Sequence, residues 1–252
     1  MTDRSGQVAL VIGGTGALGG AIADQLAREG ADVAFTYRSS TEKAALLAER
    51  IAAQGRRSHA AAVAIHDAAA LGAFVDEVVA TLGRLDTLVY AAGPSFDLNF
   101  VARVSPDDWS RVIDADLKGC FNAIHLALPH LRPNAGSIVA VTAAGVERAI
   151  ARDILSLAPK AAITALIRGV ALEEGRFGVR ANCVAPGYIA GGIGQAIMDA
   201  VGAETASVLV KSVPLRRVGT VEEVADAVSY LASSRASYIT GTTLFVSGGM
   251  EL

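Results

Sequence analysis

Gly13-Gly14-Thr15-Gly16-Ala17-Leu18-Gly19 is the first group of residues in this chain whose spacing could do chemistry. Glycines at 13, 16 and 19 permit a turn tight enough for backbone N–H groups to reach a pyrophosphate at a helix N-terminus. Gly13, Thr15, Gly16, Leu18 and Gly19 are therefore candidate phosphate contacts. The heptad follows the apolar run Val8–Ile12 and opens a helical pattern, a context that sets it apart from an ordinary glycine-rich turn. Further on, where an acid would bind a ribose 2′-hydroxyl, stand Tyr37-Arg38-Ser39-Ser40-Thr41. Arg38 offers a planar, charge-assisted contact to a 2′-phosphate and Ser39 a further donor, so the pattern predicts NADP(H) over NAD(H). The competing reading of Arg38 is a solvated residue after a strand.

A second group lies further along. Ser156 stands four residues before Lys160, in Ser156-Leu157-Ala158-Pro159-Lys160. As a nucleophile Ser156 would need Lys160 as its base, and hence a deprotonated lysine with no other ligand. The plainer reading makes Ser156 the cap of a helix over 157–174, worth ~1 kcal/mol, with Pro159 in the first turn. Asp116 could accept a hydrogen bond from a lysine or serve as a general base. Thr142, at the end of a β-rich run, could donate to a substrate oxygen. Tyr188 directly follows Pro186-Gly187, and its phenol is either a proton donor or a pocket wall. Glu147, Arg148, Arg152 and Asp153 read as solvated loop charges or as contacts to a polar substrate.

These residues need a regular frame to hold them. Apolar β-rich runs fall at 8–12, 32–37, 58–64, 87–91, 136–142, 179–184 and 243–246. Helical patterns fill the gaps at 17–29, 41–54, 68–82, 106–131, 157–174, 194–211 and 221–233. Alternating strands and helices predict an α/β fold with a parallel sheet covered on both faces. No linker or repeat divides the chain, so residues 1–252 are expected to form a single dinucleotide-binding domain. The least regular stretch, 188–212, is either a lid over a pocket or plain surface structure.

Bulk properties narrow the function classes. Of the 252 residues 52% are hydrophobic and 19% charged, enough for a sizeable core. The net charge of -3, with no basic block, argues against a nucleic-acid or anionic-membrane surface. No apolar run approaches the ~18 residues of a membrane span, and the first residues lack the apolar core of a signal peptide. Cys120 and Cys183 read as a buried reduced pair, and the four histidines lack metal-ligand spacing. The expectation is a cytoplasmic protein with a small-molecule substrate and no metal.

Further motifs follow in order. Leu88-Val89-Tyr90-Ala91-Ala92-Gly93 ends the fourth strand, and Val112-Ile113-Asp114-Ala115-Asp116-Leu117-Lys118-Gly119 lies in the long helix. Later come Arg180-Ala181-Asn182-Cys183-Val184-Ala185-Pro186-Gly187-Tyr188-Ile189 and the stretch 214–249. With the glycine loop, these make a chain that resembles the short-chain dehydrogenase/reductase superfamily over essentially its whole length. The resemblance implies a doubly wound Rossmann-type fold with a seven-stranded parallel sheet, and hydride transfer between a nicotinamide and a carbonyl or alcohol. It also implies cofactor contacts from Ala92, Gly93, Pro186, Gly187 and Ile189, with Lys160 on the nicotinamide ribose.

In such enzymes a Tyr-x-x-x-Lys tyrosine protonates the carbonyl oxygen, aided by a serine on the preceding strand and an asparagine in the long helix. Only the lysine matches here. Ser156 falls at the tyrosine, Asp116 at the asparagine, and Ala143 at the serine, or Thr142 if the register shifts by one. Tyr90-Ala91 replaces an Asn-Asn pair, and Ala64 an acid beside the adenine. One reading is an NADP(H)-dependent oxidoreductase with a substitute donor, such as Tyr188 or a water relayed through Asp116 and Lys160. The others are a lyase, isomerase or cyclase on the same scaffold, or a silent cofactor-binding subunit. The resemblance further implies a homotetramer, with a homodimer next, paired through helices 106–131 and 157–174.

Overall fold

Along Val8–Ile12 (β1), Val8, Leu10 and Ile12 enter one apolar core while Ala9 and Val11 enter another. Alternate side chains of a strand point to opposite faces, so a strand apolar throughout must be covered on both. The computed structural model describes residues 3–252, apart from the side chains at 193, 196, 197 and 200. Beside β1 run Asp32–Tyr37 (β2), Ser58–Ala62 (β3), Thr87–Tyr90 (β4), Ser137–Val141 (β5), Arg180–Pro186 (β6) and Thr243–Val246 (β7). They form a single parallel sheet in the order β3-β2-β1-β4-β5-β6-β7. The doubly wound seven-stranded sheet expected from the sequence is what the chain adopts.

Helices Ala17–Arg28 (α1) and Thr41–Ala53 (α2) cover one face through Ile22, Leu26, Leu47 and Ile51. Ala68–Leu82 (α3) covers the other through Leu71, Phe74 and Val78. Because the chain winds outward from β1 to β3 and then returns to β4, a crevice opens beyond the C-terminal ends of β1 and β4, where such sheets bind ligands.

Three helices depart from expectation. The predicted helix 106–131 is not continuous: Pro106–Ile113 (α4) and Gly119–Leu131 (α5) are joined by a π-helical turn over Asp114–Lys118. A π turn shifts backbone bonding by one residue, and such turns often mark functional sites. The helix expected from 157 starts earlier, as Ile154–Glu174 (α6), with Asp153 in the capping position. Ser156 therefore does not cap the helix: it lies in its first turn, its N–H bonded to the Asp153 carbonyl. The predicted helix 194–211 is split into Gly192–Val201 (α7) and Ala203–Ser212 (α8) by Gly202, whose φ of 80° no helix accommodates. Val221–Ala232 (α9) then packs on the α1 face.

By length and composition alone, the segment Ile154–Phe177 could cross a membrane. Here it is the crossover between β5 and β6, with Ile163, Ile167 and Val170 buried against the sheet.

Candidate active site

The glycine loop is fixed from below and open above. Gly13 N–H donates to Thr36 Oγ1 at 3.1 Å and Gly14 N–H to the Thr36 carbonyl at 2.8 Å, tying the loop to β2. Gly13 has φ 90°, and a Cβ at Gly19 would lie 2.2 Å from the Gly13 carbonyl oxygen. Only glycine at 19 lets α1 start this close to β1. No side chain caps α1, and its first turn holds no acid. The first-turn amides of Ala17, Leu18 and Gly19 thus face outward with the positive end of the helix dipole, an arrangement suited to a pyrophosphate.

Across the crevice lies a buried polar cluster. Lys160 Nζ is 3.0 Å from Asp116 Oδ1 and donates to the Ala92 carbonyl at 3.2 Å. The Tyr90 hydroxyl lies 2.8 Å from the Asp116 carbonyl and 3.1 Å from its Oδ1. In the π turn that carbonyl accepts both the Gly119 N–H and the Tyr90 hydroxyl. The Lys160 ammonium also lies 5.4 Å from the Tyr90 ring centroid. Tyr90 is fully buried, and burial, then the Asp116 and Cys120 charges, push its phenol well above the ordinary range. It therefore acts as a hydrogen-bond donor to Asp116 and not as a proton source. Two of the sequence departures around Lys160, Tyr90 and Asp116, are thus one physical unit that positions the lysine.

The remaining predicted residues are placed as follows. Thr142 is buried and its hydroxyl lies 3.3 Å from the Val184 carbonyl, so its proton points into the sheet. Ser156 is half-buried on the same helical face as Lys160, one turn earlier, and its hydroxyl has no hydrogen bond among the described residues. Tyr188 is half-buried at the end of β6, held by a bond from Gly219 N–H to its carbonyl. Burial raises its phenol, and Asp153 raises it further while Arg148 lowers it; the net shift makes it a weaker proton donor. Ile189 is buried and bridges to Gly219, and a Cβ at Gly187 would lie 2.8 Å from Ser247 Cα. Pro186, Gly187 and Ile189 therefore form a fixed wall. Ala92 contributes its carbonyl, and Gly93 is exposed beside it. Arg38 and Ser39 are exposed at the end of β2. Both cysteines are free and buried, and burial raises both thiols, Cys183 to about 11.

The four loop charges divide. Glu147 is exposed, Arg148 Nη1 reaches the Met250 and Leu252 carbonyls at 3.3 and 2.9 Å, and Arg152 Nη2 reaches the Leu98 carbonyl at 3.0 Å. Asp153, in contrast, is not a solvated charge: it is 4% exposed, and its Oδ1 is buried without a hydrogen-bond partner. Nothing in the local sequence marks Asp153 as buried, because the elements that enclose it are distant in the chain.

The loop, the uncapped α1 and the anchored Lys160 fit a nicotinamide dinucleotide. A family model described as enoyl-(acyl carrier protein) reductase matches residues 14–251. The 3-oxoacyl-[acyl-carrier-protein] reductase of Staphylococcus aureus is 38% identical over 245 residues, 97% of this chain and 98% of that one. The peroxisomal 2,4-dienoyl-CoA reductase of Danio rerio is 36% identical over 250 residues, 98% of this chain and 82% of that one. A short chain dehydrogenase from Burkholderia cenocepacia, solved in complex with NADP, superposes with a TM-score of 0.91 at 31% identity over the full length of both chains. This chain belongs to the short-chain dehydrogenase/reductase superfamily and is an oxidoreductase of that type, acting on carbonyl or alcohol groups with a nicotinamide dinucleotide.

Proposed function

We infer that the enzyme prefers NADP(H) and works without the phenol that usually protonates the substrate in its superfamily. The observation that carries this reading is the buried anchorage of Lys160 by Asp116 and the Ala92 carbonyl, with Ser156 and no tyrosine one turn away. Gly13, Thr15, Gly16, Leu18 and Gly19 would hold the pyrophosphate, Lys160 the nicotinamide ribose, and Ala92, Gly93, Pro186, Gly187 and Ile189 the walls around it. When bound, the dinucleotide supplies or accepts the hydride. Lys160 has three donors and two partners here, which leaves one N–H for the ribose.

Arg38 and Ser39 support the 2′-phosphate, and the Burkholderia relative holds NADP. Titration with NADPH and NADH by fluorescence tests this preference. Arg38→Leu is expected to weaken NADPH binding by about 10–150-fold, the value of a charge-assisted bond, and to leave NADH binding unchanged. Equal affinity of the unmodified enzyme for both would overturn the assignment. Ser156→Tyr tests the missing phenol: it is expected to raise ketone reduction by ~100-fold or more.

A second reading concerns the reduced bond. A conjugated C=C needs its final proton on carbon, so a phenol beside the oxygen is less essential, and the dienoyl-CoA reductase and the matching family model act on such bonds by name. Comparing a 3-oxoacyl with a 2-enoyl thioester decides between them. Phe121 and Leu172, 51% and 85% exposed on α5 and α6, support pairing of these helices in a homodimer or homotetramer, which light scattering would measure. Helices α7 and α8, hinged at Gly202, support a lid over the site.

A further inference from the structure

We propose that Asp153 is the proton donor to the substrate oxygen, standing in for the phenol absent at position 156. The proposal rests on the carbonyl-reducing reading above and adds the acid that reading lacks.

An aspartate in the capping position normally turns its carboxylate back onto the first helical amides. Asp67 does so at α3, where Oδ1 accepts from Ala69 and Ala70 N–H at 3.0 and 3.1 Å. Asp153 does not. Its backbone carbonyl takes the Ser156 and Leu157 N–H groups, at 3.0 Å each, and the side chain makes no cap bond. Asp153 as a whole is only 4% exposed, and its Oδ1 has no hydrogen-bond partner among the described residues. Unsatisfied buried polar atoms are rare enough in native proteins to require an explanation.

The surroundings hold Asp153 in place without neutralising it. Arg152, immediately before it, has φ 72°, a strained conformation for a non-glycine residue. That turn sends the Arg152 guanidinium to the Leu98 carbonyl and over the Phe100 ring, 5.8 Å from its centroid. Asn99 bridges to Asp153 through the backbone. Arg148 is tied to the C-terminal carbonyls, and Lys160 to Asp116. Just beyond β6, Tyr188 has a phenol raised chiefly by burial, with Arg148 lowering it and Asp153 adding a smaller rise. No cation pairs with Asp153 among the described residues. Burial alone therefore sets its acidity, raised to about 7. A carboxylic acid of that strength is well matched to general acid catalysis near neutral pH. Asp153 precedes α6 by one residue, and positions 153, 156 and 160 follow one helical spacing, so Asp153 stands about 10 Å along the axis from Lys160, beyond Ser156.

In the step, hydride given up by the reduced dinucleotide, which would be oxidised, adds to the carbonyl carbon and the C=O π pair moves onto oxygen. The Asp153 O–H bond breaks as the new O–H bond forms, and the carboxylate later recovers a proton from water. Carboxyl-13C aspartate NMR of the unmodified protein, assigned with Asp153→Asn, tests the ionisation apart from turnover. A titration near pH 7 supports the proposal, and one in the ordinary range below about 5 overturns it. In steady-state reduction, kcat/KM of the unmodified enzyme should fall above pH 7. Asp153→Asn should lose about 100-fold or more and lack that limb, Asp153→Glu should recover part of the rate, and cofactor binding should be unchanged in both. Wild-type turnover with an unaltered rate and pH profile in Asp153→Asn overturns the proposal and leaves the reading above intact. Cofactor binding with no turnover of any carbonyl by the unmodified enzyme overturns both.

Discussion

The sheet carries a buried ion pair at each edge, and the two differ in what they leave unsatisfied. At the N-terminal edge, Arg4 makes four hydrogen bonds, to Glu29, Gln7 and the Ser229 and Ala232 carbonyls. Glu29 in turn accepts from Gln25 and the Ser229 hydroxyl. Burial opposes its charge, but those bonds and Arg4 together hold its carboxyl below the usual range. This network joins the N-terminus to α1 and α9. At the C-terminal edge, Asp116 is buried and Lys160 nearly so, yet the lysine keeps a free donor and the cluster faces the crevice. Asp153 goes further, with no partner for Oδ1 among the described residues. Buried charge is structural where every lone pair and proton is answered, and available for chemistry where some are not.

Breaking the structural pair should have the largest effect on stability. Glu29→Ala leaves Arg4 buried and unpaired, a loss of about 3–5 kcal/mol in urea unfolding. The stability that ionised Glu29 contributes is present above its unfolded value near 4.5 and lost as pH falls through its lower folded value. Asp153 has the opposite sign. Its folded value is raised, so the protein loses stability as pH climbs from about 4 to about 7, and Asp153→Asn should recover up to about 4 kcal/mol at pH 8 and almost none at pH 4. A variant that is destabilised at pH 8 would show that Asp153 has a partner.

At the catalytic edge, Lys160→Met with Asp116→Leu replaces the pair by apolar groups of similar volume. Stability should change by less than about 2 kcal/mol while dinucleotide binding collapses, since the pair serves the ligand more than the fold. Tyr90→Phe is the mildest test. It keeps the ring and removes the bond to Asp116, for about 1 kcal/mol in unfolding and a weaker grip on Lys160 seen as a raised KM for the cofactor.

Much of the frame was legible in residue order. The seven strands follow their apolar runs to within two residues, and the central ones do so because a strand buried on both faces must be apolar along its length. Gly19 was legible for a similar reason: any other residue collides with the Gly13 carbonyl. The π turn at Asp114–Lys118 was not, since the feature that stabilises it, the Tyr90 hydroxyl on the Asp116 carbonyl, comes from a strand more than twenty residues away. Ser156 was read as a cap because the serine and Pro159 suit a helix start, and the backbone of Asp153 overrode that local preference.

The sequence by itself determined the sheet, the phosphate loop and the lysine, since periodicity, glycine sterics and a charged residue among family motifs are local properties. Tertiary structure decided which polar residues are answered. It joined Tyr90, Asp116 and Lys160 into one cluster, turned the Thr142 hydroxyl into the sheet, and buried Asp153 without a partner. Burial and hydrogen-bond completion depend on segments far apart in the chain, and those two quantities separate a structural charge from a reactive one.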